Sequence, residues 1–256
     1  MRPLLLLPLS LWGCETAPET IEGKVVDIWG NPIEGATVMV VGGTERPLTD
    51  ADGRYRIPRA VGPIQVKAGR KGFIQDHREF EVKEGEPATG PLFELFPKPD
   101  DAGFYVVATG RYVKLEPRPV KSVGNALQQF RGVDAIGEAV VETEKPRVVF
   151  HTDLRQDEIM RLGLELHRLE FVQEASIPGP VGSATVAVKL FVDKIDVPVE
   201  FEPLRSKTDY LLTPKEPLEP GVYALQTQEL LSADASKEAF EAIPPELRVV
   251  FPFEVR

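Results

Sequence analysis

At 256 residues with 42% apolar content, the chain is long enough for two folded domains and too rich in core-forming side chains to be disordered. Its 24 prolines approach twice the usual share of about 5%, and together with 21 glycines they argue against long helices and for short strands punctuated by turns. A formal charge of −10 argues against a phosphate-binding surface, since nucleic-acid binders present basic patches, and offers nothing to an anionic membrane. The chain opens with Met1-Arg-Pro-Leu-Leu-Leu-Leu-Pro-Leu-Ser-Leu-Trp-Gly13, one positive charge followed by an apolar run and a small residue. That is the layout of a secretory signal. It is too short for a spanning helix, which needs roughly 20 apolar residues, and Pro3 and Pro8 break any helix it could form.

Cys14, the sole cysteine, follows directly. A single thiol forms no internal disulfide framework. Leu11-Trp12-Gly13-Cys14 resembles the lipobox of bacterial lipoproteins, in which the cysteine receives diacylglycerol and becomes the new first residue. The resemblance implies a signal peptide over 1–13, palmitate-type acylation at Cys14 and a membrane-bound protein of the bacterial cell envelope. Two acyl chains at about 0.8 kcal/mol per buried methylene suffice for stable anchoring. Glu15 after the cysteine is similar to lipoproteins sent to an outer membrane, facing periplasm or surface. Glu15-Thr-Ala-Pro-Glu-Thr20 then reads as a polar tether. The alternative is an unmodified cysteine buried near an apolar terminus.

From 21 to 97 the residues alternate between turns. Ile21, Gly23 and Val25 share one face, Trp29-Gly-Asn-Pro32 is a turn, and Ala36 to Val41 resumes a strand that Gly42-Gly43 stops. Thr49-Asp-Ala-Asp-Gly53 turns into Arg54-Tyr-Arg-Ile57. Pro63 to Ala68 alternates at period two, and Phe73 and Phe80-Glu-Val82 follow. Short strands about ten residues apart predict an antiparallel β-sandwich. Gly23-Lys-Val-Val-Asp27, Gly30-Asn-Pro-Ile-Glu-Gly-Ala-Thr-Val38, Thr49-Asp-Ala-Asp-Gly-Arg-Tyr55 and Gly72-Phe73 together resemble the carboxypeptidase regulatory-like domain. What the resemblance implies is a transthyretin-like, seven-stranded sandwich that serves as a folding partner, binding module or spacer and not as a catalyst. Asp50 and Asp52 before Gly53 suggest a calcium loop, but an EF-hand needs more oxygen ligands and a closing glutamate, and Arg54 and Arg56 stand where those would be. Side-chain caps on a tight turn are the expectation.

Residues 98–102 read as a linker, and 103–256 as a second β-rich sandwich domain, immunoglobulin-like or related. Gly103 to Val107 pairs with Arg111 to Leu115 in a hairpin. Val186, Val188, Leu190 and Val192 share a face, as do Val197, Val199 and Phe201, and Val249, Phe251, Phe253 and Val255. Pro252 lacks a donor, so it belongs at an edge or with its nitrogen turned outward. Residues 164–172 suit a strand, and 153–160 a capped helical turn. Asp234 to Ala242 is the best helix, stopped by Pro244-Pro245. Leu218-Glu-Pro-Gly-Val-Tyr223 resembles the tyrosine corner of immunoglobulin-like and fibronectin-like sandwiches, with Tyr223 bonding back to the upstream backbone. The same residues also fit a proline-glycine turn and an ordinary core tyrosine.

No catalytic constellation emerges. His167-Arg-Leu-Glu170 has the His-x-x-Glu of zinc carboxypeptidases, but no later histidine supplies a third ligand, and in a strand residues three apart point to opposite faces. His77 and His151 stand without a patterned partner. No nucleophile elbow, phosphate loop or dinucleotide fingerprint is present. The histidines and carboxy-terminal tetrapeptide of transthyretin-like hydrolases are absent too. The expectation is a lipid-anchored binding, display or assembly protein, not an enzyme, without catalytic residues, metal or cofactor, whose partners are the membrane through Cys14 and an envelope protein or glycan, never nucleic acid. The alternative is a hydrolase, or the accessory subunit of an envelope peptidase or glycan-processing system, with its site in the second domain.

Overall fold

A computed structural model describes residues 19–125, 127–161, 163–226, 230–231, 237–244 and 247–256, with side chains omitted at 237–239. The signal segment, Cys14 and the Asp234 cap therefore lie outside the described residues. The chain divides into two compact units, Met1–Pro97 and Lys98–Arg256. Among the described residues it is β-rich, with two short helices, both in the second unit.

The first unit contains β1 (Thr20–Asp27), β2 (Thr37–Val40), β3 (Arg54–Pro58), β4 (Gly62–Gly69), β5 (Asp76–Val82) and β6 (Thr89–Leu95). They form two three-stranded sheets, ordered β3-β1-β6 and β2-β4-β5. Ile21, Val25, Tyr55, Ile57, Phe93 and Leu95 from the first sheet meet Val38, Ile64, Val66 and Val82 from the second in one core. The alternation expected of the sequence is what lines that core. Two features depart from it. β1 and β6 pair in parallel, because the chain crosses to the other sheet and back before β6 returns to β1's side. β6 itself escaped the sequence reading, since Gly90-Pro91 looks like a turn. The ladder accommodates both residues in a register shift, with Glu22 opposite Thr89 and Lys24 opposite Leu92. Gly53 meets the turn's demand with φ +75°, and a Cβ there would lie 2.4 Å from the Val25 carbonyl oxygen.

The second unit begins with β7 (Gly103–Ala108), β8 (Arg111–Lys114), β9 (Arg118–Pro119), β10 (Lys121–Gly124), β11 (Gln129–Val133), β12 (Val140–Val141), β13 (Val148–His151) and α1 (Gln156–Arg161). It continues through β14 (Glu165–Gly179), β15 (Gly182–Val197), β16 (Val199–Pro203), β17 (Asp209–Pro214), β18 (Gly221–Gln226), α2 (Lys237–Ala242) and β19 (Val249–Val255). A five-stranded sheet, β16-β17-β13-β7-β8, faces an eight-stranded one whose path is β10-β11-β15-β14-β18-β19-β12, with β9 also on β19. Phe104, Val106, Phe150, Tyr210 and Leu212 from one sheet pack on Leu166, Tyr223, Leu225, Phe253 and Val255 from the other. The outer face of the larger sheet carries a second cluster, Val133, Leu169, Ala224 and Val250, covered by Leu230, Leu231 and Phe240. That cover explains why β19 is buried on both faces rather than on the one its alternation marks. Pro252 is not at a free edge. The Glu254 and Arg256 amides donate outward to the β12 segment, at Ala139 and Val141, so at period two the Pro252 nitrogen faces that same flank, between β9 and β12, where no ladder bond is needed. Tyr223 forms the corner, its hydroxyl donating to the Glu219 carbonyl at 2.7 Å.

Candidate functional site

β14 and β15 form a hairpin of 15- and 16-residue strands. At its base β18 pairs with β14 as far as Leu169, and β11 pairs with β15 at Phe191 and Val192; from Glu174 to Ala187 the two strands pair with each other. Alternation puts Glu165, His167 and Leu169 on the outer face, toward Leu230 and Leu231. Across the ladder His167 faces Asp196, Arg168 faces Ile195, and Leu169 faces Asp193, so Lys194 is an extra residue in a bulge. The bulge gives Asp193 and Asp196, three apart in sequence, a common face with His167.

The resulting cluster is tight. His167 Nδ1 lies 3.0 Å from Asp193 Oδ1 and 2.9 Å from Asp196 Oδ1. His167 Nε2 lies 3.1 Å from Glu165 Oε2. The Leu231 amide donates to Gln226 Oε1 at 2.9 Å, which turns the Gln226 amide toward Glu165 Oε2 at 3.0 Å and His167 Nε2 at 2.6 Å. The imidazole is 5% exposed whereas Asp196 is 84% exposed, so the ring is packed from behind and open to solvent on the carboxylate side. Burial works against the charged imidazolium, but hydrogen bonds with Asp193 and Glu165 and the charges of Asp193 and Asp196 outweigh it and hold the group above its usual range.

The rejected His-x-x-Glu pair behaves as strand geometry requires. Glu170 leaves His167's face and pairs with Lys194 at 3.0 Å. The cluster around His167 went unread because Asp193 and Asp196 have the wrong spacing for a regular strand; Glu165-x-His167 was the available signal, two ionisable residues at period two. His151 is not alone either. On β13 it faces Asp209 of β17, with Nδ1 2.7 Å from Oδ1. The other oxygen of this fully buried carboxylate accepts the hydroxyls of Ser206 and Thr208, the latter at 3.0 Å. Ser206 thus bonds the aspartate and not the imidazole, and the group lacks the nucleophile-to-base contact of a hydrolytic triad. His77 sits on β5 opposite Lys67.

In the first unit Asp50 is a turn cap, as its position suggests. Its Oδ1 accepts the Asp52 and Arg54 amides at 3.0 and 2.8 Å. Asp27, unnoticed in sequence, does the same for Trp29 and Asn31, both at 2.9 Å. An open groove of about 550 Å³ runs past Thr37, Lys67, Arg70, Lys71 and Phe73, and a smaller apolar hollow of about 270 Å³ lies among Val40, Pro47, Ile57 and Pro58.

Residues 20–92 match the model of the carboxypeptidase regulatory-like domain. No curated protein matches the chain. Among solved structures, a candidate carbohydrate-binding protein from Bacteroides uniformis aligns at 12% identity and a TM-score of 0.25, covering 82% of this chain and 88% of its own. The major pilin subunit of Bacillus cereus aligns at 14% identity and a TM-score of 0.25, covering 93% of this chain and 67% of its own.

Proposed function

We propose that the chain is a non-catalytic binding or assembly module of a bacterial cell envelope, held to a membrane by lipid on Cys14. One observation carries the non-catalytic part of this reading: Asp209 and Gln226, two buried polar groups among the described residues of the second unit, are engaged by their neighbours. Asp209 is satisfied by His151, Ser206 and Thr208, and Gln226 by Leu231 and Glu165. Groups so engaged rigidify a sandwich and leave none of these side chains poised over a cleft. The regulatory-like domain at 20–92 supports it, being of a type that accompanies other activities rather than supplying one. Contact with an envelope protein or glycan then falls to loops and exposed strands, of which the β14–β15 hairpin, with Val181 at its tip 99% exposed, is the longest.

Two measurements test the reading. Radiolabelled palmitate should enter the full-length chain in a bacterial host and not its Cys14→Ala variant; equal labelling of both ends the anchor. The purified chain, offered envelope glycans and peptides with and without divalent metals, should bind at least one class and turn over none. Cleavage of any of them transfers the second unit to the hydrolase alternative.

A further inference from the structure

We propose that His167, Asp193 and Asp196 form a site for one divalent transition-metal ion, with Zn²⁺ as its representative. Their three donor atoms lie within 4.8 Å of one another. Nδ1 stands 2.9 and 3.0 Å from two separate carboxylate oxygens, although one N–H satisfies only one of them fully. Such separations approach the edge of a coordination polyhedron, for zinc bonds of about 2.0–2.2 Å place neighbouring ligands roughly 3–3.5 Å apart. An ion there replaces a shared proton by a double positive charge between two carboxylates.

The surroundings fit the same use. A histidine bound through Nδ1 carries its proton on Nε2, and Glu165 Oε2 at 3.1 Å is the carboxylate that accepts it; the Gln226 amide nitrogen, itself a donor and 2.6 Å from Nε2, would then draw back onto Glu165. Gln226 orients Glu165 in turn, anchored by the Leu231 amide. One nitrogen and two oxygens with open solvent positions suit zinc or its first-row neighbours rather than calcium, which takes six to eight oxygens. The ligands come from both strands of the β14–β15 hairpin at its base, where His167 still pairs with β18 and the aspartates lie on the side of the β11 contact away from the hairpin tip. The ion would pin the Lys194 bulge and the register of the two strands at the base of the hairpin. This inference stands on the second unit alone, so it survives or fails independently of the lipid anchor.

The test is titration of the full chain, first dialysed against chelator, with ZnCl₂ in a calorimeter. We expect one site per chain, a rise in melting temperature on adding Zn²⁺, and slowed amide exchange in β14 and β15. Affinity should fall at least 100-fold in Asp193→Asn/Asp196→Asn and stay unchanged in Glu170→Gln, which alters the opposite face of the same strands. If the double variant does not fold, Asp196→Asn alone serves, since that side chain is largely exposed; a tenfold loss is then expected. Absence of saturable 1:1 binding, or binding undiminished in these variants, overturns the proposal.

Discussion

Tyr55 shows how much one side chain decides in the smaller unit. It is 1% exposed, lies across two backbone glycines, and its hydroxyl donates to the Pro91 carbonyl at 2.8 Å. A Cβ on Gly23 would sit 2.3 Å from the ring, and one on Gly90 2.7 Å from the hydroxyl. β1 and β6 can therefore carry only glycine where the ring crosses, and the register shift that admits Pro91 also brings its carbonyl within reach. Gly23→Ala forces the phenol aside in a packed core, an overpacking cost of about 1–3 kcal/mol. Urea unfolding of the full chain should show it as a lower midpoint for the transition of the first unit with an unchanged slope. Equal midpoints in variant and parent would mean that the ring has room the packing does not indicate. In the second unit Tyr223 acts on the same principle at a different place, closing its corner onto Glu219 while Arg168 reaches the Glu219 carboxylate and, at 3.2 Å, the Pro220 carbonyl.

At the level of strands, legibility followed regularity. Val25, Ile57, Ile64 and Val66 could be assigned to a core because each obeys period two, and the β7–β8 hairpin and Tyr223 corner because their turns carry glycine or proline at the expected offsets. Irregular ladders were hidden for the complementary reason. β6 contains its bulge in Gly90-Pro91, a pair that reads as a turn; the β15 bulge at Lys194 disguises the aspartates that join His167; and His151 meets Asp209 only through pairing of strands 58 residues apart. A candidate site built on bulges and long-range pairs leaves little local trace. Gly132 marks another such joint. A Cβ there would lie 2.0 Å from the Phe191 carbonyl oxygen, because β11 meets β15 only at Gly132–Val192 and Val133–Phe191. Backbone, unlike a flexible side chain, does not give way, so Gly132→Ala should detach β10–β11 from the sheet. Hydrogen exchange should speed up for amides 121–133 and 191–192 while β13 and β17 stay protected. Uniform protection across all of them would show that the joint tolerates the methyl.

For the molecule as a whole, the question is whether each unit holds itself together. The first unit's core draws on Ile21 to Leu95, and the two clusters of the second on Phe104 to Val255, with no residue in common. Chain segments that share no core residue meet the usual criterion for domains able to fold alone. Size separates their margins, since a domain of fewer than about 80 residues buries a smaller fraction of its surface and works close to the limit of a single apolar core. Residues 19–97 and 98–256, expressed separately, should each unfold cooperatively, and the sum of their circular dichroism spectra should reproduce that of the full chain. The smaller fragment should melt first, and it is the one in which Gly23→Ala consumes most of the available stability. ZnCl₂ should raise the melting temperature of 98–256 and leave 19–97 unmoved, because all three proposed ligands belong to the larger fragment. A fragment without a cooperative transition, beside a full chain that has one, would mean that its core is not self-sufficient.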